Sequence, residues 1–199
     1  MVTVEADGEA VEERLRAGAL CCPGCAGRLA GWGRARARSV RAEEGALRLV
    51  PRRSRCTSCR ATHVLLPVTV LARRADAVAV IGGALEAKAG GSGFRRIAAR
   101  LGRPAETVRG WLRRFGGRCE AVRVVFTDWA WAVMADPVLP GPAGSAWADA
   151  VAAVAAAAVA IAERFSLGTV AAWQAACAVS GGRLLAPGWP GPGANTSSP

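Results

Sequence analysis

The sequence predicts an α+β chain, mostly α, in which a small β ribbon precedes a tri-helical unit and a run of alanine-rich helices. Three observations carry that expectation. Two C-x2-C pairs stand 30 residues apart among short strand-like pieces. Apolar residues then recur at helical spacing in short segments ended by glycine. From Cys119 onward the chain is rich in alanine and interrupted by proline and glycine.

Residues 1–20 read as an extension, with a strand at Val2–Glu5 and a helix near Glu9–Ala17. Residues 21–72 hold the ribbon: strand-like Leu29–Val40, Ala46–Arg55 and His63–Leu66, with Pro67–Ala72 as a linker. Residues 73–118 hold three helices, Asp76–Ala89, Phe94–Leu101 and Ala105–Phe115, although Gly82 and Gly83 sit inside the first. Residues 119–186 hold helices near 119–135, 145–164 and 168–179, broken by Pro137, Pro140, Pro142 and Gly168. Residues 187–199 are so poor in groups to bury that a disordered tail is expected.

The formal net charge of +11 is segregated. Residues 28–60 carry ten Arg against Glu43 and Glu44, and residues 73–118 carry ten Arg and Lys88 against Asp76, Glu86 and Glu106. Both ends are slightly acidic. A field confined to the middle of the chain suits a polyanion. Residues 1–20 carry five carboxylates and no apolar core, so no secretory signal is read. The longest apolar run, Val151–Ala162, falls short of the ~20 residues of a membrane span. A cytoplasmic, nucleoid-associated location without a membrane partner is expected.

Seven cysteines in a reducing compartment point to metal or free thiols. Cys22-Pro-Gly-Cys25 and Cys56-Thr-Ser-Cys59 each bend two thiolates toward one ion, and together they complete a closed four-thiolate site suited to structural zinc. Their separation fits two knuckles carried on hairpins, a zinc ribbon. Cys21 is adjacent to the set but breaks its spacing. His63, the one histidine, is a strand residue that either packs, acts as a ligand, or hydrogen-bonds to a ligand. Cys119 and Cys177 read as small apolar residues.

In the tri-helical unit, Val108, Trp111, Leu112 and Phe115 form one apolar stripe, and Ile97, Ala98 and Leu101 another. Val80, Ile81, Ala84 and Leu85 of the preceding helix would cover them. Ala105, Glu106, Arg109, Gly110 and Arg113 then face outward, beside Thr107. A helix so presented in a major groove sets Arg109 and Arg113 to reach guanine edges and Glu106 to accept from cytosine. Arg95, Arg96, Arg100 and Arg114 suit phosphates, which position without specifying.

The segment GFRRIAARLGRPAETVRGWLRRF resembles the helix-turn-helix of bacterial transposases and resolvases. With CPGC and CTSCRATHVLLP upstream, the chain is similar to short zinc-ribbon plus helix-turn-helix proteins of high-GC, actinobacterial-type bacteria, described as transposase-like or uncharacterised. One departure stands out: Arg103-Pro104 replace the usual apolar residue and Ser/Thr cap of the turn. The resemblance implies a double-stranded DNA partner and a mobile-element or transcription-regulatory role, with a separate transposase or a second copy of the chain as further partner. RNA binding or protein interaction by the ribbon is the alternative. Catalysis is not expected, because Glu120, Asp128, Asp136, Asp149 and Glu163 lie in alanine-rich helices rather than on a catalytic sheet. Trp129, Trp131, Trp147 and Trp173 supply core, or a docking surface.

Overall fold

The computed structural model describes residues 1–191, and its architecture is α+β with the sheet preceding most of the helices. The first strand, β1 (Val2–Val4), is followed by α1 (Gly8–Ala17), β2 (Leu29–Arg34), β3 (Arg38–Ala42), β4 (Gly45–Leu49), β5 (Arg52–Cys56) and β6 (Thr62–Pro67). Sheet order is β1-β6-β5-β2, with β1 parallel to β6 and the other pairs antiparallel, while β3 and β4 form a separate hairpin. The two long strand-like pieces of the sequence are therefore each divided. Gly33, at φ 88, sits in a register shift of β2, and Pro51, which has no N–H to donate, turns the chain between β4 and β5. The Pro51 carbonyl instead accepts from the Ala35 amide at 2.7 Å.

Helix α1 is held at both ends: Asp7 accepts from the Glu9 amide at 2.9 Å, and Gly18 closes it in the left-handed region at φ 71. It lays Val11 and Leu15 on Leu20, Leu29 and Leu65, which completes a small core around the buried Cys22 and Cys56. The segment read as an extension thus belongs to the ribbon.

The helices are α2 (Val78–Ala89), α3 (Phe94–Leu101), α4 (Ala105–Gly116), α5 (Cys119–Val133), α6 (Ala146–Phe165) and α7 (Ala172–Val179). Val80, Ile81, Ala84 and Leu85 are buried, as are Ile97, Ala98 and the Val108–Trp111–Leu112–Phe115 stripe. The two glycines inside α2 differ. Gly82 lies under the Trp173 indole, where a Cβ has no room, whereas Gly83 faces open space. Trp173 then donates to Glu86 at 2.6 Å, and Trp147 donates to the Leu85 carbonyl at 3.0 Å while tilting onto Phe115. Trp147 and Trp173 are core; Trp131 is half exposed.

Three expectations change. The Pro67–Ala72 stretch is not a free linker: Val70 and Leu71 are buried, and the Thr69 carbonyl receives the Val78 amide at 2.8 Å. One apolar core then runs from Val40 and Leu66 through α2–α7 to Trp189, across the positions where separate units were expected. Trp189 also lies within the stretch expected to be a disordered tail, yet it is buried and its ring stands 6.4 Å from Phe126. The rest of that tail, 192–199, lies outside the described residues. The apolar run Val151–Ala162 sits in α6, whose 20 residues and mean hydropathy of 1.6 are long and apolar enough to cross a membrane by length and composition. In the fold α6 packs on α2, α5 and α7 through Ala150, Val154, Ala157 and other small residues.

Candidate metal centre and basic helix face

Each C-x2-C turn is built the same way. The Cys22 amide donates to the Gly27 carbonyl at 2.7 Å, and the Cys56 amide to the Ala61 carbonyl at 2.8 Å. The residue after each second cysteine, Ala26 at φ 56 and Arg60 at φ 65, occupies the left-handed region and turns the chain back. Gly27 follows the first turn where any Cβ would strike Ser58 and the Cys56 sulfur, so glycine is required for the knuckles to meet. Thr57 locks them by donating its amide and hydroxyl to the Arg28 carbonyl at 2.9 and 3.1 Å.

The four Sγ atoms of Cys22, Cys25, Cys56 and Cys59 lie within 4.8 Å of one another and could hold a metal ion. Cys22 and Cys59 sulfurs are 3.8 Å apart, Cys25 and Cys56 sulfurs 3.5 Å. A disulfide needs about 2.05 Å, and all four thiols are free. Four sulfurs at metal-bond lengths of about 2.3 Å in a tetrahedron stand about 3.8 Å apart. The spacing fits an ion. Burial raises the Cys56 thiol, but amides of Cys59 and Ser58 and the neighbouring thiols outweigh it and bring it to about 6. The Ala61 amide lowers Cys59, yet the Cys25 and Cys56 thiols and burial push it up to about 11. A cation at the centre of the four sulfurs favours the thiolate form of each.

Cys21 is exposed and outside the four-thiol group. His63 also lies outside it, but its Nε2 is 3.4 Å from the Cys22 sulfur and its Nδ1 is 3.3 Å from the N-terminal amine. Desolvation, then the N-terminal charge, holds the His63 ring below the ordinary histidine range. Cys119 and Cys177 are buried, their sulfurs directed to the Phe115 and Val70 carbonyls. Burial pushes Cys177 up to about 12, as befits a small apolar residue.

Helices α3 and α4 are joined by Gly102 at φ 59, Arg103 and Pro104. Pro104 gives α4 no side-chain cap. What fixes the turn is Arg103, which the residue pattern marked only as irregular. Its Nε donates to Asp76 Oδ1 at 2.7 Å and its guanidinium also donates to the Leu101 and Ala42 carbonyls at 3.0 and 2.9 Å. Arg41 of β3 donates to the other oxygen of Asp76 at 2.7 Å. Asp76 is 2% exposed and lies ahead of α2 rather than in its first turn, contrary to the expected helix start. One buried carboxylate therefore ties hairpin β3-β4 to the turn between α3 and α4. The signal was present in the sequence as a single acid after Arg73 and Arg74, but the pairing is long-range.

The outward face of α4 carries Glu106 and Arg109, whose side chains are 78% and 63% exposed and meet at 3.5 Å, together with exposed Arg113. Thr107 is half-buried. Arg95, Arg96 and Arg100 are exposed on α3, and Arg100 donates to the Gly83 carbonyl at 3.2 Å. Arg114 differs: it is half-buried and donates to the Gly110 carbonyl at 2.9 Å. Gly110 makes room for that guanidinium.

Residues 22–111 match the model of a domain of unknown function (DUF6431). The matched stretch begins at the first cysteine of the cluster and ends within α4, so it contains all four thiols and the turn that Arg103 fixes. No curated protein and no solved structure matches the chain.

Proposed function

We propose that this chain is a non-catalytic DNA-binding protein whose ribbon is folded around zinc and whose α4 reads the major groove. Zinc suits a closed, four-thiolate set whose role is structural, since it cross-links two knuckles and leaves no open position for substrate. Metal binding of this kind contributes folding energy directly. The resemblance to zinc-ribbon plus helix-turn-helix proteins suggests a mobile-element or regulatory setting, in which a separate transposase or a second copy of the chain supplies any chemistry.

The observation that carries the reading is the two-sidedness of α4. Its rear stripe is buried against α2 and the tryptophan-rich core, while Glu106, Arg109 and Arg113 stand outward on a rigid support. A reading helix needs that rigidity, because side chains must meet base edges within hydrogen-bond distance. Two carboxylates of the later helices have partners within that part of the chain: Glu120 pairs with Arg123 at 2.6 Å, and Asp149 accepts from the Ala143 amide at 2.6 Å.

Selection from random duplex DNA tests the reading. The wild type yields a motif, and Arg109→Ala or Arg113→Ala relaxes one position of it, each contact being worth about 1–3 kcal/mol. A protein that enriches no motif, or that prefers single-stranded RNA, overturns the major-groove assignment.

A further inference from the structure

A second basic surface is lined by none of Glu106, Arg109 and Arg113 of α4. Between the ribbon, the Ala72–Arg74 segment and the Arg183–Pro187 turn runs a groove of about 880 Å³ whose lining holds six arginines: Arg36, Arg38, Arg73, Arg74, Arg114 and Arg183. No carboxylate lines it, and none of the six makes a salt bridge among the described residues. Its floor is apolar, formed by Val64, Leu66 and Pro51 with neighbouring small residues.

Three of these arginines show that the charge is concentrated at a cost. Arg38 has two guanidinium nitrogens, Nε and Nη2, that are buried without a hydrogen-bond partner. Desolvation lowers its pKa, and desolvation followed by repulsion from Arg114 lowers that of Arg74. Arg73 is held at φ 57, a left-handed conformation that strains a side-chain-bearing residue. Buried unpaired donors are expensive unless a ligand completes them. Guanidinium forks match phosphate oxygens two at a time, and an apolar floor beneath them suits a sugar or base face.

We propose that this groove binds phosphate esters and holds the backbone of a nucleic-acid strand, with Arg38 as its innermost donor. Six uncompensated cations call for a ligand with closely repeated negative charge, which a phosphodiester backbone has. The choice of polymer rests on the DNA-binding reading above; the anion chemistry of the groove does not, since it involves none of the base-reading residues.

The test uses the full, metal-loaded chain and a labelled 20-base-pair duplex, its single strand, inorganic phosphate and polyglutamate, with affinities measured across a salt series. Arg36 and Arg183 are exposed, so Arg36→Ala with Arg183→Ala leaves the core intact; Arg38→Lys probes the innermost donor, with circular dichroism as the folding control. The double variant is expected to weaken nucleic-acid binding roughly tenfold at low salt, equally for all sequences, and to reduce the slope of log K against log salt by about 1 per lost contact. Wild-type affinity and slope in the groove variants overturn the groove and leave the α4 reading standing. Loss in the groove variants with no change in Arg109→Ala and Arg113→Ala supports the groove and overturns α4. Binding of inorganic phosphate but neither oligonucleotide, or competition by polyglutamate as strong as by nucleic acid, overturns the backbone assignment.

Discussion

The ribbon and the helical unit solve the same problem with different means. The ribbon buries six aliphatic side chains around Cys22 and Cys56, and its two knuckles meet where four sulfurs converge. The helical unit has a larger core, with Phe115, Phe126, Trp111 and Trp173 inside it, which also takes in Val40 of β3 and Leu66 of β6. Small domains with few apolar groups need a cross-link, and larger ones rely on burial. Under the proposed function, a metal held by the four sulfurs is a folding device for the ribbon, while the helical unit presents its helix face without one. Beside that shared core Asp76 is a polar joint, because its two oxygens accept from an arginine on each side.

The largest way to break this contrast is Cys22→Ser or Cys56→Ser. Either removes a ligand that is also a core residue, and structural zinc sites contribute about 10–16 kcal/mol of apparent folding energy. The expected result is loss of bound metal in elemental analysis with the strand signal lost and the helical signal kept in circular dichroism. Asp76→Ala comes next. It strands Arg103, whose side chain is 14% exposed, against buried carbonyls, while Arg41 at 44% is relieved by solvent. A cost of about 3 kcal/mol is expected, at the low end for removing one member of a buried pair, read as a lower melting temperature. The smallest effects distinguish the α2 glycines. Gly82→Ala meets Trp173 and should destabilise by about 1–3 kcal/mol, whereas Gly83→Ala, in open space, should stabilise by about 0.5–1 kcal/mol through helix propensity. Equal effects at the two positions in thermal melts would sink the account of Trp173 packing.

Local chemistry made much of this legible. The C-x2-C spacing identified the four sulfurs that converge, because a knuckle is a property of consecutive residues. Helical periodicity placed α3 and the α4 stripe to within a residue, and it named the α2 positions that cover them. What sequence reading missed was long-range. The register shift at Gly33 and the strand break at Pro51 depend on how the sheet turns, the Gly82 cleft depends on a tryptophan 91 positions later in the chain, and Trp189 is buried because Phe126 awaits it. Arg103 looked like a defect in a turn because its partners, Asp76 and the Ala42 carbonyl, lie in other elements. Arg114 looked like one more surface cation, although its guanidinium folds back over Gly110.

Region-resolved hydrogen exchange on the full chain, with and without a strong chelator, tests the central contrast most directly. The account predicts that amides at Cys22, Leu29 and Cys56 lose protection when the ion is removed, while those of α2 and α4–α6 keep theirs. Uniform loss across both halves, or unchanged protection at the knuckles, would contradict it.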